Sequence, residues 1–143
     1  MEKLILGQKT MKVDAKGRMF IPSSMDVWKG SEVAFARFSG DYYHLYILEK
    51  INSLIDELTK KRDFAVNEEE FKLIVAKLNS LFDMIIDVSK IDAQRRILLP
   101  SEIQEKSSGN VILQGKGDCI ALFPNEDIYE NYRTLNLSKD IRI

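Results

Sequence analysis

Residues 13–22 read VDAKGRMFIP, and residues 91–100 read IDAQRRILLP. One constant offset of 78 positions lays Asp14 on Asp92, Arg18 on Arg96 and Pro22 on Pro100. The same offset continues to Ser23 with Ser101, Met25 with Ile103 and Val33 with Val111. The later apolar run at His44 to Leu48 meets Cys119 to Phe123 only at an offset of 75, which predicts a turn about three residues longer in the first copy. The chain therefore reads as two diverged copies of one small unit, each of about 50 residues plus added helix.

The bulk numbers bound what such a chain can be. With 143 residues, 45% of them apolar and 30% charged, it is long enough for one ordinary domain or for two half-domains sharing a core. No apolar run approaches the roughly 20 residues needed to cross a bilayer. Met1 to Leu6 lack the apolar stretch and cleavage site of a signal peptide, so the expected location is the cytoplasm, with no membrane partner. Cys119 is the single cysteine and His44 the single histidine, which leaves no internal disulfide and no metal-ligating constellation. Cys119 reads as a small buried apolar residue. No cofactor and no small-molecule substrate is expected, and an enzyme is disfavoured because no nucleophile, base and orienter come together in the sequence.

The net charge of −1 is unevenly spread. Residues 1–37 carry a balance of +3 and residues 85–100 a balance of +1, whereas residues 38–84 and 101–143 carry −3 and −2. The two motif regions are the basic ones, and a local basic face on an acidic chain is compatible with a phosphate-bearing partner.

Along each copy the residues spell strand, tight hinge, strand, proline. Thr10 to Asp14 form a short strand, and Ala15, Lys16 and Gly17 suit a turn in which Asp14 bonds the backbone two residues on. Arg18 to Ile21 start a second strand that stops at Pro22, which has no N–H for a ladder. Ser23 with Asp26, and Ser101 with Gln104, predict helix N-caps after each hinge. Glu32 to Phe38 and Tyr43 to Leu48 follow as a strand pair turning over Ser39, Gly40 and Asp41. Tyr42, Tyr43 and His44 read as an edge strand with solvated tips. Apolar periodicity then predicts helices over about 49–62 and 67–82, the second capped by Asn67 with Glu68, Glu69 and Glu70 in its first turn. The second copy repeats the β pattern with strands at Met84 to Val88, Asn110 to Gln114 and Cys119 to Phe123. It closes with a helix through Ile128, Tyr132 and Leu135 and a charged tail at Lys139, Asp140 and Arg142.

Asp-x-x-x-Arg with an apolar-apolar-Pro sequel, written twice, resembles the MraZ family of bacterial transcriptional regulators, which are built from tandem AbrB-like (SpoVT-AbrB, swapped-hairpin) units. Asp14, Lys16, Gly17, Arg18, Ile21 and Pro22 match the first motif, and Asp92, Arg96, Leu99 and Pro100 the second. The resemblance implies an α+β fold: two AbrB-like β-rich units forming one pseudo-twofold double-split, swapped-hairpin β-barrel with added helices. The first unit would span residues 1–82, including the helical insertion, and the second residues 83–143. It further implies a nucleoid-associated, ring-like homo-oligomer that binds double-stranded DNA at direct repeats near the division and cell-wall genes. Arg95 stands where the second motif has glycine, so either that turn does not need positive φ or Arg95 is strained there by about 1 kcal/mol or more.

For such a partner the cations matter most, because each neutralised phosphate adds salt-dependent affinity. Lys9, Lys12, Lys16 and Arg18 supply them in the first copy, and Lys90, Arg95 and Arg96 in the second. Asp14, Gly17, Pro22, Asp92 and Pro100 are the hinge residues. Arg18 and Arg96 have two open uses: forking onto a guanine edge, or closing the hinge by pairing with Asp14 and Asp92. The competing function is a protein-interaction module of the same fold that has lost DNA binding.

Overall fold

The computed structural model describes residues 4–38 and 41–137. Its elements in chain order are β1 (Gln8–Lys12), β2 (Arg18–Phe20), a 3-10 helix (Ser23–Trp28), β3 (Glu32–Phe38), β4 (Tyr42–Ile47), α1 (Leu48–Asp63) and α2 (Glu68–Met84). The second half follows with β5 (Ile85–Lys90), β6 (Arg96–Leu98), α3 (Ser101–Lys106), β7 (Asn110–Gly115), β8 (Ile120–Phe123) and α4 (Glu126–Leu137). The expected turn at Ser39 and Gly40 and the charged tail lie outside the described residues.

Six strands form one antiparallel sheet in the order β1-β7-β8-β4-β3-β5, and β2 pairs with β6 in a separate two-stranded ribbon. The six-strand order reads the same from either end once β1, β3 and β4 are exchanged for β5, β7 and β8. Each half thus lends its first strand to the other: β1 pairs with β7, and β5 with β3. The fold is α+β as expected, but the sheet is open, with β1 and β5 at its edges, and is not a closed barrel.

The registers correct the repeat alignment in its later part. Ala34, matched to Ile112 by the 78-residue offset, lies across from Tyr46, while Ile112 lies across from Phe123. Tyr46 is therefore the counterpart of Phe123, an offset of 77 rather than 75, and the first copy is longer by one residue only. The apolar runs look alike at 75 because strands alternate, and an offset wrong by two residues keeps every side chain on its proper face.

Alternation also builds the layers. Val33, Phe35, Tyr43, Leu45, Val111, Leu113, Ile120 and Leu122 turn to one side of the sheet. There they meet Met19 and Ile97 from the ribbon, Trp28 from the 3-10 helix and Ile103 from α3. The opposite face is covered twice. Ala34 packs with Ile51 and Leu81 of the α1 and α2 pair, and Ile112, Ala121 and Phe123 pack with Ile128, Tyr129 and Tyr132 of α4. α1 after β4 corresponds to α4 after β8, so among the described residues α2 alone has no counterpart. Its start is as expected, with the Asn67 side chain accepting from the Glu70 N–H at 2.8 Å.

Two local expectations fail. β4 is no edge strand, since it lies between β8 and β3 with Tyr43 at 0% exposure. A run of Tyr-Tyr-His looks solvated in sequence, but its faces are filled by core on one side and aromatic stacking on the other. The capping box at Ser101 and Gln104 is also absent: Ser101 is already inside α3, Pro100 precedes it without a side-chain cap, and Gln104 donates to the Leu99 carbonyl instead.

Candidate nucleic-acid interface

The two hinges are built by the same hydrogen bonds. Asp14 Oδ1 accepts from the backbone N–H of Lys16 and of Arg18, both at 2.9 Å, and its Oδ2 accepts from Arg18 Nε at 3.0 Å. Asp92 accepts from the N–H of Gln94 and Arg96 at 2.9 and 2.8 Å and from Arg96 Nε at 2.9 Å. The Asp14 and Asp92 carboxyls are held below the usual range, chiefly by the backbone N–H of Arg18 and of Arg96. The halves also lock across the pseudo-axis: Ile21 donates to the Arg95 carbonyl and Leu99 to the Gly17 carbonyl, both at 2.9 Å.

Gly17 has φ 80 and Arg95 φ 63, so the second turn does require the left-handed region and an arginine occupies it. A non-glycine residue there costs about 1 kcal/mol. Such strain is tolerated where surrounding bonds fix the backbone, as the Asp92 carboxylate and the Ile21 N–H do here.

Of the two uses open to Arg18 and Arg96, the hinge pairing is present in both copies. Each arginine pairs through Nε and stays partly exposed, and among the described residues neither guanidinium has a partner for its terminal nitrogens. The pairing orients the fork without covering it, so contact with an outside anion is compatible with it.

In the ribbon Arg18 lies opposite Leu98, Met19 opposite Ile97 and Phe20 opposite Arg96. Met19 and Ile97 point into the core at 0% and 1% exposure, which turns Arg18, Phe20, Arg96 and Leu98 outward. Lys16 is exposed at the tip of the first hinge, where the second copy has Gln94. Arg95 is half-buried beside the second tip. Pro22 and Pro100 end the paired segments, and Pro100 is buried.

Lys12 and Lys90 are not on this face. Lys12 and Lys90 correspond at the 78-residue offset and stand at opposite sheet edges, across from Asn110 and Glu32. Strand alternation sets both toward the helix-bearing side. Lys9, across from Leu113, has the parity of Met11 and so lies toward the ribbon-bearing side, at the sheet edge rather than on the ribbon itself. The compact set is Lys16, Arg18 and Arg96.

Phe20 and Leu98 went unnoticed as site residues. Their signal was present in the motif itself, because buried Met19 and Ile21 fix the alternation and force residue 20 outward. Gln104 was also missed: it packs on Gly17, and nothing local in the sequence marks a contact across 87 positions.

A second polar cluster joins α3 to the sheet. The Glu102 carboxylate accepts from Arg37 and from the Tyr43 hydroxyl, and Lys106 Nζ donates to that hydroxyl at 2.9 Å. Glu102 is held down to about 2, first by the Arg37 hydrogen bonds and then by Tyr43. Burial and the Glu102 charge push the Tyr43 hydroxyl up. On the helix-bearing face Phe38 stacks on His44 at 4.1 Å, and Cys119 is buried with Sγ 4.0 Å from His44 Nδ1. Burial lowers His44 and raises Cys119, so neither the imidazolium nor the thiolate that a reactive pair needs is favoured. Among the described residues no three His, Cys, Asp or Glu side chains stand where they could hold a metal ion, and no helix is long and apolar enough to cross a membrane.

Compared with known proteins, the chain matches no family model and no curated protein.

Proposed function

We propose that the chain is a sequence-specific, double-stranded-DNA-binding transcriptional regulator of the MraZ type, with its two halves as AbrB-like swapped-hairpin units and several chains assembled in a ring. One observation carries this reading. Arg18 and Arg96, each held in place by a hinge aspartate, share the outward face of a two-stranded ribbon whose inner face is core. A ribbon of two strands fits the major groove of B-DNA, and guanidiniums fixed before binding lose little entropy on contact with phosphate or guanine. Lys16 beside Arg18 adds a mobile cation of the kind that binds phosphate.

The test is a gel-shift titration of the purified chain on short duplexes carrying direct repeats drawn from the host genome. Neutralising about three phosphates predicts an affinity loss of roughly fortyfold between 50 and 200 mM salt. The double variant Lys16→Ala with Arg18→Ala should abolish the shift while Lys16→Ala alone weakens it, with circular dichroism confirming that both variants fold.

A second reading, an interaction module without DNA affinity, is favoured by a different observation. Phe64 and Val66 are 82% and 85% exposed at the turn between α1 and α2, and Phe71, Leu73 and Phe82 of α2 are exposed as well. Apolar side chains gathered on an added hairpin mark a protein contact surface. Failure to bind any genomic fragment at low salt selects this reading.

A further inference from the structure

Half of the outward face of the ribbon is apolar. Phe20 is 53% exposed and Leu98 51% exposed. The 78-residue offset relates them to each other, so both copies place a large apolar side chain at this position. Each stands directly across from an aspartate-held guanidinium, Phe20 from Arg96 and Leu98 from Arg18. The core already takes Met19 and Ile97 from the same strands, so residues 20 and 98 contribute little to folding, and outward positions on a solvated ribbon are ordinarily polar.

The charge of the face selects the occupant. Among the described residues its carboxylates are Asp14 and Asp92, each matched by its own arginine, so the surplus charge is the exposed Lys16, and the two outward forks add N–H donors for an anion without adding net charge. An anionic surface with apolar points at a fixed spacing fits this pattern. The major groove is such a surface: it is lined by phosphate and offers the C5-methyl group of thymine as its apolar feature. Paired strands lie about 4.8 Å apart and enter a groove about 12 Å wide. Diagonal residues on a ribbon are about 7–8 Å apart, close to two base-pair steps.

Resting on the DNA-binding reading above, we infer that Phe20 and Leu98 are specificity-determining residues that select thymine by contact with its C5-methyl group, at two positions about two base steps apart. The arginines contribute affinity and orientation, and the apolar pair contributes discrimination.

The experiment uses duplexes recovered from a random-sequence pool by the wild-type chain, resynthesised with deoxyuridine in place of each thymidine in turn. Deoxyuridine keeps every hydrogen-bonding group and removes only the methyl. The wild type should lose roughly three- to tenfold in affinity at each of two positions about two steps apart. The same replacement should be silent for Phe20→Ala at one position and for Leu98→Ala at the other, while both variants keep the wild-type salt slope because no charge has changed. Both side chains are exposed, so the variants should fold, and thermal melts check this. Equal affinity of the wild type for thymidine and deoxyuridine duplexes at every position overturns the inference and leaves DNA binding standing. Variants that weaken all sequences alike, with their thymidine preference intact, also overturn it. Recovery of no duplex at low salt removes the DNA-binding reading and this inference together.

Discussion

At Gly17 the backbone stands at φ 80, and a Cβ built there would lie 2.2 Å from the Gln104 carboxamide. Two constraints act on one residue: a left-handed turn worth about 1 kcal/mol and a steric wall that is the flexible end of Gln104, which can swing aside for about 1 kcal/mol, its hydrogen bond to the Leu99 carbonyl. They are separable by a double-mutant cycle. Gly17→Ala should destabilise the chain by about 2 kcal/mol in urea unfolding, the sum of those two terms. Gln104→Ala should cost about 1 kcal/mol, since the Leu99 carbonyl loses its donor. In the Gln104→Ala background Gly17→Ala should cost only the backbone term of about 1 kcal/mol. Equal costs in both backgrounds would show that Gln104 is not the wall. The sequence marked Gly17 as a turn residue but could not supply its second constraint, which comes from the other half of the chain. It likewise exposed the four-residue spacing of Asp14 with Arg18 and Asp92 with Arg96. Spacing alone does not say whether such an arginine faces its aspartate or a ligand, and the structure shows that the hinge uses Nε and leaves the fork partly exposed.

At the scale of elements, α3 is fastened to β3 and β4 by Glu102, with Arg37 and Tyr43 as donors. The first copy has Ser24 at the equivalent place, so only one of the two hinge-following helices has this clamp. Glu102 titrates at about 2 in the folded chain against an ordinary 4.5, which means the folded state favours the charged form. The contribution is therefore complete above pH 4.5 and is lost as pH falls toward 2. Asp14, Asp92 and Asp118 are also depressed and act in the same direction. Glu102→Gln should cost about 1 kcal/mol at neutral pH, a figure discounted for the partial exposure of the pair, and should shallow but not flatten the fall in stability on acidification. A variant whose acid profile superimposes on the wild type would exclude Glu102 as a contributor. The helices were legible because a stripe such as Phe71, Ile74, Leu78 and Leu81 is a local signal, and so was the strand-hinge-strand unit. The place of β4 at the middle of the sheet was not, because strand order depends on partners far away in sequence, and Tyr42 to His44 look the same whether their neighbours are water or Leu122 and Arg37.

For the whole molecule, the consequence of the repeat lies in how the two copies are joined. Among the described residues β1 takes its only strand partner from the second half and β5 its only strand partner from the first, while β2 and β6 pair across the pseudo-axis. Gln8 and Gln114, partners in the sheet, are more than one hundred residues apart, so much of the pairing closes long loops before it is rewarded. Folding should be slow for the chain length, in the millisecond-to-second range typical of non-local β topologies.

The same joining predicts what happens when the chain is cut between α2 and β5. Residues 1–84 keep β3 and β4 but lose the strand beside β3 and the ribbon partner of β2. Residues 85–143 keep β7 and β8 but lose the strand beside β7. Neither fragment retains a closed core, since Met19 and Ile97 are each buried against residues from both halves. Each fragment alone should therefore be unfolded as a monomer by circular dichroism, and an equimolar mixture should regain the spectrum and the single cooperative melt of the intact chain. The pseudo-symmetry adds a qualification that can be measured: two copies of one fragment can offer each other the missing strand, because β1 and β5 occupy equivalent slots. Any structure in an isolated fragment should then rise with its concentration and sediment as a dimer. A fragment that folds as a monomer, at a concentration-independent mass, would mean that the halves are independent domains and that the exchanged strands are not what holds the sheet together.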